Sequence, residues 1–553
     1  MKMKKCHVYI TIYYKIKMIN EYGNDIMKKK KVISMGIYLN PTNQNFYEAV
    51  NKEIYVDKSL LIQHVEYLRN KVNKYICVSR PRRFGKSTDA DMLVAYYSMG
   101  CDSHNIFDSL KISQTDHYLE HLNKHHVIHI NMQSFLSNTH NIDKMIQLLT
   151  IRILNEFKQE YLVNFFDETN LSLSLEDIYA FSKNQFIFII DEWDCIFREY
   201  KQDKESQKIY LDFLRNLLKD KPYVELAYMT GILPIKKYGT HSALNMFEEI
   251  SMIDPGLFVE FMGFTEAEVQ NLCIQFNISY DEMKQWYDGY HMTNDISTFS
   301  PRSVVSSIVR KQFGNYWTST ETYEALQVYI DMNFDGLKDN IVQLLSGESV
   351  DVNTSKFQND MTTFKSKDDV LTLLIHLGYL GYNSFNHTCY IPNKEVIDSF
   401  VNSIEDSNWQ ETTKALLNSR ELLEATWKKD EDAVARYIEE AHLDTSILTY
   451  NNENAMSYTL SIAYIYARNH YTIIREMPSG EGFADIVLIP YRDKPAMIIE
   501  LKWNQEAKTA IDQIKEKKYP KGLEKYKDNL LLVAISYDKK TKKHTCLIEE
   551  IGK

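Results

Sequence analysis

Short apolar runs separated by helical stretches dominate the first half of the chain. Four runs have the length and composition of buried strands, and they are KYICVS (74–79), HVIHINM (126–132), FIFII (186–190) and VELAYMTG (224–231). The intervening segments repeat apolar residues at helical spacing, as in the stretch that follows Asp57. Strands that alternate with helices predict a mostly parallel α/β sheet.

Helical periodicity takes over from about residue 305 to about 440. Its clearest pieces are LTLLIHLGYLGY and ELLEATWKKDEDAVARYIEEA, and the later SYTLSIAYIYARN is typical of a buried helix. The pattern predicts four parts: an N-terminal extension (1–40), an α/β domain (41–305), a helical region or linker (306–440) and a small α/β domain (441–553).

Two late strands carry charge inside apolar sequence. FADIVLI (483–489) and MIIELKW (497–503) flank the turn-rich PYRDKP. A regular hairpin centred on this turn pairs Asp485 with Glu500, and strand alternation puts Lys502 on the same face as Glu500. The opposite face is apolar. An exposed Glu–Lys pair on an edge strand is the alternative interpretation.

Such a cluster has a chemical use. Burying charges costs several kcal/mol unless they are paired or bind a metal. Two adjacent carboxylates, Asp485 and Glu500, suit Mg²⁺ or Mn²⁺, which can activate water. Lys502 beside them can orient the nucleophile or neutralise charge that grows on a phosphate.

A phosphate site is predicted where the first strand meets its helix. Gly85, Lys86 and Ser87 end the pattern G-x-x-x-x-G-K-[ST], whose first glycine is replaced by Arg80. Lys86 would reach the β- and γ-phosphates and Ser87 would hold Mg²⁺. Arg83 and Thr88 flank them as further candidate nucleotide contacts.

The strand FIFII ends in Asp191 and Glu192. Asp191 is expected to bind Mg²⁺ through water and Glu192 to polarise the attacking water. Asp191 as a helix N-cap is the alternative. Thr230, after the fourth strand, could sense the γ-phosphate or end a plain turn. For Arg302, a surface position is favoured over a phosphate contact.

Composition narrows the setting. A net charge of −11 predicts no overall electrostatic attraction to nucleic acid, although residues 491–553 are locally basic. The seven cysteines are scattered without a CxxC pair, which favours a reducing cytoplasm over disulfides or zinc. No apolar run is long enough to span a bilayer.

The motifs together resemble a known family. YVDKS, RPRRFGKST, FIFIIDEWD, TGIL, WYDGY, IPNKEV and the D-x₁₄-E-x-K hairpin resemble AAA-ATPase-like proteins with a C-terminal PD-(D/E)XK nuclease-like domain, from about residue 36 to the end. The resemblance implies a P-loop NTPase parallel sheet with helices, a helical middle region and a small restriction-endonuclease-like α/β domain.

The resemblance also assigns roles in the C-terminal domain. Asp485 and Glu500 are implied as metal ligands and Lys502 as the catalytic lysine. Glu453 matches the upstream acidic metal position, and Gln513 and Tyr519 match the following helix.

Two functional hypotheses follow. In the first, an ATP-binding domain controls a divalent-metal-dependent nuclease that acts on nucleic acid, with DNA as the expected substrate. In the second, the chain is a nucleotide-dependent switch whose nuclease-like end binds a partner without cutting. Both leave oligomerisation open.

Overall fold

The computed structural model describes residues 36–551, and within this span the following positions are not described: 162–164, 166, 236–243, 293–295, 318–322, 333, 335, 359–361, 363, 406–409, 445–459, 461–462, 480–481, 492–493, 517–522, 524–525 and 527. Most of the extension predicted over 1–40 therefore lies outside the described residues. The chain divides into two compact units. The first contains Met1–Cys77, Lys86–Gly231 and Ala243–Glu248, and the second contains Val78–Gly85, Ile232–Ser242 and Glu249–Lys553.

A five-stranded sheet organises the N-terminal part. Its strands are β1 Tyr75–Ser79, β2 His126–Asn131, β3 Phe186–Asp191, β4 Val224–Gly231 and β5 Glu248–Ile250. Their order is β2-β3-β4-β1-β5, and the β2–β3 and β3–β4 ladders are parallel. The four apolar runs are thus strands of one sheet, as predicted. β1 and β3 are buried along their whole length, which explains why neither alternates polar and apolar residues.

Helices connect these strands. Their bounds are Gln44–Val50, Leu61–Lys71, Lys86–Tyr97, His104–Phe107, Tyr118–His121, Met132–Thr139, Ile142–Tyr161, Leu171–Ser182, Cys195–Glu199 and Lys204–Leu218, with a 3₁₀ turn at Lys111–Gln114.

The middle of the chain is mainly helical, as predicted, with short strands between the helices. Its helices are Glu266–Phe276, Tyr280–Tyr287, Pro301–Arg310, Tyr323–Ile330, Leu337–Ser346, Lys367–Leu377, Lys394–Glu405, Gln410–Lys428 and Glu431–Asp444, with 3₁₀ turns at Gly256–Phe261 and Thr354–Lys356. Its strands are β6 Phe264–Thr265, β7 Tyr290–His291, β8 Ser297–Phe299, β9 Val350–Asp351, β10 Gly381–Asn383 and β11 Thr388–Tyr390. Strands of two or three residues are too short to show an alternating pattern, so the sequence did not predict them.

The C-terminal sheet also has five strands, in the order of the chain. They are β12 Tyr471–Ser479, β13 Gly482–Pro490, β14 Ala496–Trp503, β15 Leu530–Asp538 and β16 Lys543–Ile551, with a helix at Ala507–Glu516 and a 3₁₀ turn at Ile465–Asn469. Only β14 and β15 run parallel. The sequence analysis did not predict β12.

Both faces of this sheet are covered. One face packs on the helices Gln410–Lys428 and Glu431–Asp444, which fall in the span predicted as a linker. The other face packs on the helix Ala507–Glu516 through Ala510, Ile511 and Ile514. Because β14 pairs with β13 on one side and with β15 on the other, it lies in the interior of the sheet, and the edge-strand interpretation of its charges is wrong.

The β13–β14 hairpin has the predicted register. Ile486 pairs with Ile499, Val487 with Ile498 and Leu488 with Met497. The ladder ends at Ile486, and the next two positions along the same register are Asp485 and Glu500.

WYDGY and IPNKEV meet in the middle region. Gly289 has a φ of +106°, and a Cβ added there would lie 2.0 Å from the carbonyl oxygen of Pro392. The Asn393 amide donates a hydrogen bond of 2.9 Å to the carbonyl oxygen of Asp288. The two motifs therefore form one tight backbone junction.

Gly289→Ala tests this junction. The substitution forces a left-handed backbone on alanine and pushes its methyl group into a carbonyl oxygen, so we expect a loss of at least ~3 kcal/mol in the free energy of unfolding. Gly256 is exposed, has a φ of +48° and has open space around it, so Gly256→Ala should cost only about 1 kcal/mol. Equal losses in chemical denaturation would contradict the junction.

Candidate functional site

The predicted phosphate loop has the backbone of an anion-binding turn. The buried strand β1 leads into residues 80–85, and the helix Lys86–Tyr97 follows at once. Arg83 and Gly85 both have left-handed backbones, with φ of +65° and +87°. Left-handed residues in such a turn point successive N–H groups to one side, and the helix N-terminus adds further donors, so the loop suits a phosphate.

The two predicted magnesium residues are in contact. The Ser87 hydroxyl donates a hydrogen bond of 2.8 Å to Oδ2 of Asp191, whose Oδ1 accepts from the backbone N–H of Glu192 at 2.9 Å. The helix Cys195–Glu199 has Asp194 at its N-cap, so the alternative interpretation of Asp191 as a helix cap is wrong. One hydroxyl and one carboxylate oxygen at this spacing are the donor types that Mg²⁺ prefers, and the pair fits that ion.

Burial changes the acidity of Asp191. Asp191 and Lys86 are both almost fully buried. Burial raises the pKa of Asp191, while the Ser87 hydrogen bond and the charge of Lys86 oppose that rise. A bound divalent cation would favour the ionised carboxylate further.

Arg198 holds the predicted water-polarising residue. Glu192 has a left-handed backbone, with φ of +54°, and its Oε2 accepts from Nη2 of Arg198. Nε of the same guanidinium lies 3.4 Å from Oδ1 of the fully buried Asp194. Burial raises the pKa of Glu192, and the charge of Arg198 opposes that rise. Sequence analysis missed Arg198, although one helical turn separates it from Asp194 in FIFIIDEWDCIFRE.

Thr230 lies on β4, which runs between β3 and β1. The residue is fully buried, and its hydroxyl has no hydrogen-bond partner among the described residues. This favours a role for the hydroxyl over a plain turn, because a buried polar group without a partner is costly. Thr88 is exposed on the first turn of its helix, and Arg302 is exposed near the start of the helix Pro301–Arg310, as the favoured surface interpretation predicts.

The phosphate loop is anchored by residues that its motif does not contain. The indole N–H of Trp317 donates a hydrogen bond of 2.9 Å to the carbonyl oxygen of Arg82. The ring of Phe84 packs edge-on against Tyr290, at 5.4 Å between centroids, and against Trp317 at 6.5 Å. Contacts with other residues of the second unit, to which the loop belongs, therefore hold the loop in place.

A buried carboxylate positions Trp317 in turn. Glu395, in IPNKEV, is 1% exposed, and its Oε1 accepts from the backbone N–H of Trp317 at 2.6 Å. Its Oε2 accepts from the Ser303 hydroxyl at 2.6 Å. The family resemblance includes this motif but implies no role for it. In the structure, its glutamate positions Trp317.

The second candidate site lies at the open end of the β13–β14 ladder. Oδ2 of Asp485 accepts a hydrogen bond of 2.8 Å from the backbone N–H of Leu501. Glu500 is 3% exposed, whereas Lys502 is half-buried. The apolar back is confirmed, because Met497, Ile499 and Leu501 are buried in the core on the opposite face.

The remaining predicted residues of this site are only partly described. Gln513 is half-buried on the helix Ala507–Glu516, while Glu453 and Tyr519 lie outside the described residues. Within the described positions, no group of three or more His, Cys, Asp or Glu side chains is arranged to hold a metal. Sequence analysis missed Ser536, which pairs with Lys502 across the parallel ladder and is buried.

Two stretches of the chain match known protein families. Residues 42–240 match the family model described as predicted AAA-ATPase, and residues 452–546 match the PD-(D/E)XK nuclease superfamily. The chain thus carries an AAA-ATPase-like P-loop domain followed by a domain of the PD-(D/E)XK nuclease superfamily.

Individual relatives are more distant. An uncharacterised protein encoded 5′ of vnfD in Azotobacter chroococcum mcd 1 is 25% identical over 280 residues, which cover 48% of this chain and 51% of that protein, so the match spans only about half of the relative. A Walker-type ATPase of Pyrococcus abyssi (TM-score 0.33, 14% identity) and the ORC2 protein of Aeropyrum pernix (TM-score 0.30, 12% identity) each align over 64% of this chain and 97% of their own. Among the helices in the described ranges, none combines the length and apolarity needed for a bilayer span.

Trp317→Phe tests the anchoring of the phosphate loop. The change keeps a ring in the core but removes the N–H that binds the Arg82 carbonyl. The loss of one such hydrogen bond, about 1 kcal/mol, should weaken ATP binding roughly five-fold. Trp427→Phe is the matched control, because its indole N–H binds the Tyr471 hydroxyl at 2.7 Å in the C-terminal domain. Titration calorimetry that gives both variants the wild-type affinity for ATP would contradict the role of Trp317.

Proposed function

We propose that this chain, which joins an AAA-ATPase-like domain to a PD-(D/E)XK nuclease superfamily domain, is an ATP-controlled, divalent-metal-dependent nuclease that acts on DNA. The observation that supports the proposal is the hairpin register: beyond the last ladder pair, Ile486 with Ile499, the next positions are Asp485 and Glu500, and Lys502 follows two residues later on β14. A buried Glu500 that only stabilised the fold would be an expensive choice, since an apolar residue would fill the same position at lower cost.

In the ATPase half, the loop N–H groups and Lys86 bind the phosphates, and Ser87 and Asp191 hold Mg²⁺. The metal, when bound, neutralises charge on the phosphates. Glu192 accepts the proton of the attacking water, and Thr230 offers its buried hydroxyl to the γ-phosphate.

Arg198 sets the resting state of Glu192. While Arg198 binds the carboxylate, Glu192 is held ionised but turned to a structural partner. We propose that Glu192 exchanges this ion pair for the attacking water when ATP is bound. The ATPase step is then limited by how often the pair opens.

In the nuclease half, Asp485, Glu500 and the upstream Glu453 are the proposed metal ligands. A divalent metal held there would supply an activated water and neutralise phosphate charge. Lys502 would orient the attacking water and stabilise the charge that develops on the scissile phosphate. Gln513 and Tyr519 are proposed to position the substrate from the following helix.

Control by ATP has a physical route. The phosphate loop and the nuclease-like domain belong to the same compact unit. The loop is tied within it through Arg82, Trp317 and Glu395. ATP binding that changes the loop therefore acts on the unit that carries the nuclease residues.

A second candidate function is a nucleotide switch that does not cut. The hydrogen bond from Leu501 to the Asp485 carboxylate favours it, because this side chain already closes the end of a strand ladder. In that case Asp485 is structural, and the domain binds a partner.

The acid limb of ATP hydrolysis tests the Glu192–Arg198 pair. A general base works only when ionised, and burial raises the pKa of Glu192, so hydrolysis should fail at a higher pH than for an ordinary glutamate. Arg198→Gln removes the charge that opposes this rise, so the acid limb should move to still higher pH.

Two further variants separate the hydrolysis step from ATP binding. Glu192→Gln should keep ATP binding but slow hydrolysis by about 100-fold or more, and Lys86→Ala should lose binding. Hydrolysis rates of wild type and Arg198→Gln that fall at the same pH would rule out Glu192 as the titrating base.

Metal binding and cleavage test the nuclease half. Asp485→Asn and Glu500→Gln should each weaken Mn²⁺ binding in calorimetry, and the metal-free Glu500→Gln protein should be no less stable than wild type, because like-charge repulsion is relieved. Lys502→Ala should bind Mn²⁺ normally yet fail to cleave linear, circular or single-stranded DNA.

Exposed neighbours provide the controls. Lys508→Ala and Asp512→Asn make the same charge changes on the outer side of the next helix and should leave cleavage intact. If wild type binds no Mn²⁺ and Lys502→Ala lowers the melting temperature, the charges form a structural ion pair and the switch replaces the nuclease.

A further inference from the structure

The second unit contains a cavity of about 710 Å³ that neither candidate site uses. Its walls come from the helix Tyr280–Tyr287, the segment after the helix Pro301–Arg310, the start of the helix Lys394–Glu405 and the turn end of the β13–β14 hairpin. The residues that matter here are cationic or aromatic, and they are Trp286, Lys311, Lys394, His470, Tyr491 and Lys494. The volume lies in the range of natural ligand sites.

The cavity carries positive charge that its walls do not neutralise. Glu282 is the one acidic residue lining it, against three lysines. Lys311, Lys394 and Lys494 make no ion pair with a carboxylate among the described residues. Burial lowers the pKa of Lys394, and burial together with the charges of Lys494 and Lys394 lowers the pKa of His470. The charges of Asp398 and Glu282 oppose the shift of Lys394, but three lysines still outnumber the one lining carboxylate, and an excess of cations attracts an anion.

Asp398, one helical turn beyond Lys394, is a counter-charge outside the lining of the cavity. Burial raises its pKa to about 6, so its carboxylate is ionised at neutral pH and offsets part of the lysine charge. Two of the ammonium groups also lie over aromatic rings. Nζ of Lys394 is 4.4 Å from the centroid of Trp286, and Nζ of Lys494 is 3.9 Å from the centroid of Trp427.

An aromatic ring in this cavity is fixed in place. The hydroxyl of Tyr491 donates a hydrogen bond of 2.5 Å to the carbonyl oxygen of Tyr471 and accepts one from the side-chain amide of Gln285. A ring that is held before the ligand arrives loses little entropy on binding, so it is a good stacking platform. Cations beside aromatic rings are the combination that binds nucleic-acid strands without sequence preference.

We propose that this cavity binds a single-stranded segment of nucleic acid, with Lys311, Lys394 and Lys494 on its phosphates and Tyr491 stacked on a base. The choice of nucleic acid among polyanions rests on the proposed function. Tyr491, just after β13, lies six positions beyond Asp485, which is roughly 20 Å of strand. One nucleic-acid strand of several nucleotides is long enough to occupy the cavity and reach the nuclease residues.

Fluorescence anisotropy with a labelled single strand of about 12 nucleotides tests the proposal, in EDTA and without ATP. Lys311→Gln, Lys394→Gln and Lys494→Gln should each weaken binding about five-fold near 0.1 M salt and reduce the slope of log K against log salt by about 0.7. Tyr491→Leu should also weaken binding, with little change in that slope. Thermal melts of each variant confirm that the fold is kept.

Lys540→Gln is the matched control, because Lys540 is exposed in the β15–β16 turn and the charge change is the same. If the three cavity variants bind the strand as tightly as Lys540→Gln does, the proposal is overturned. It is also overturned if a free mononucleotide binds as tightly as the strand, or if polyglutamate of equal charge competes equally well. The first result indicates a small-nucleotide site and the second an acidic protein partner.

The outcome is separable from that of the proposed function, because binding in EDTA needs no metal and no cleavage. If wild type cleaves DNA and the lysine variants bind the strand normally, only the proposal for the cavity is ruled out. If those variants bind the strand more weakly and wild type shows no metal-dependent cleavage, only the proposed nuclease activity is ruled out.

Discussion

The buried carboxylate of Glu395 is the constraint on which much of the second unit depends. It binds the backbone N–H of Trp317 and the hydroxyl of Ser303, and the indole of Trp317 holds the phosphate loop at Arg82. A buried carboxylate is stable only when its oxygens accept hydrogen bonds. Movement of Trp317 or Ser303 away from Glu395 would therefore cost free energy of folding. The geometry of a nucleotide loop is therefore fixed by a carboxylate more than three hundred positions later in the chain.

Buried or half-buried carboxylates recur at each site, and each has different partners. Asp191 accepts from a hydroxyl and a backbone N–H, Glu192 binds a guanidinium, and Asp485 closes the end of a strand ladder. In each case a partner from the protein itself satisfies the carboxylate. Any ligand that bound to one of these carboxylates would have to replace that partner.

The C-terminal sheet fixes the positions of its charged residues. Helices cover both of its faces, so the charged positions of β14 cannot turn to solvent by a shift of register. A slip of one residue would put Glu500 and Lys502 in the apolar core and Ile499 and Leu501 on the other face. The apolar alternation of the strand thus fixes where the charges lie.

The sequence alone determined four of the five strands of the first sheet, the position of the predicted phosphate loop after β1 and the register of the hairpin. These follow from local rules: apolar run length, glycine before lysine, and alternation about a turn. Tertiary structure alone decided that Arg198 holds Glu192, that Trp317 anchors the loop, that Ser536 lies beside Lys502 and that the lysines of the cavity converge. The physical reason is distance along the chain, because such contacts join segments whose local patterns carry no information about each other, and only the packing of the whole core sets their positions.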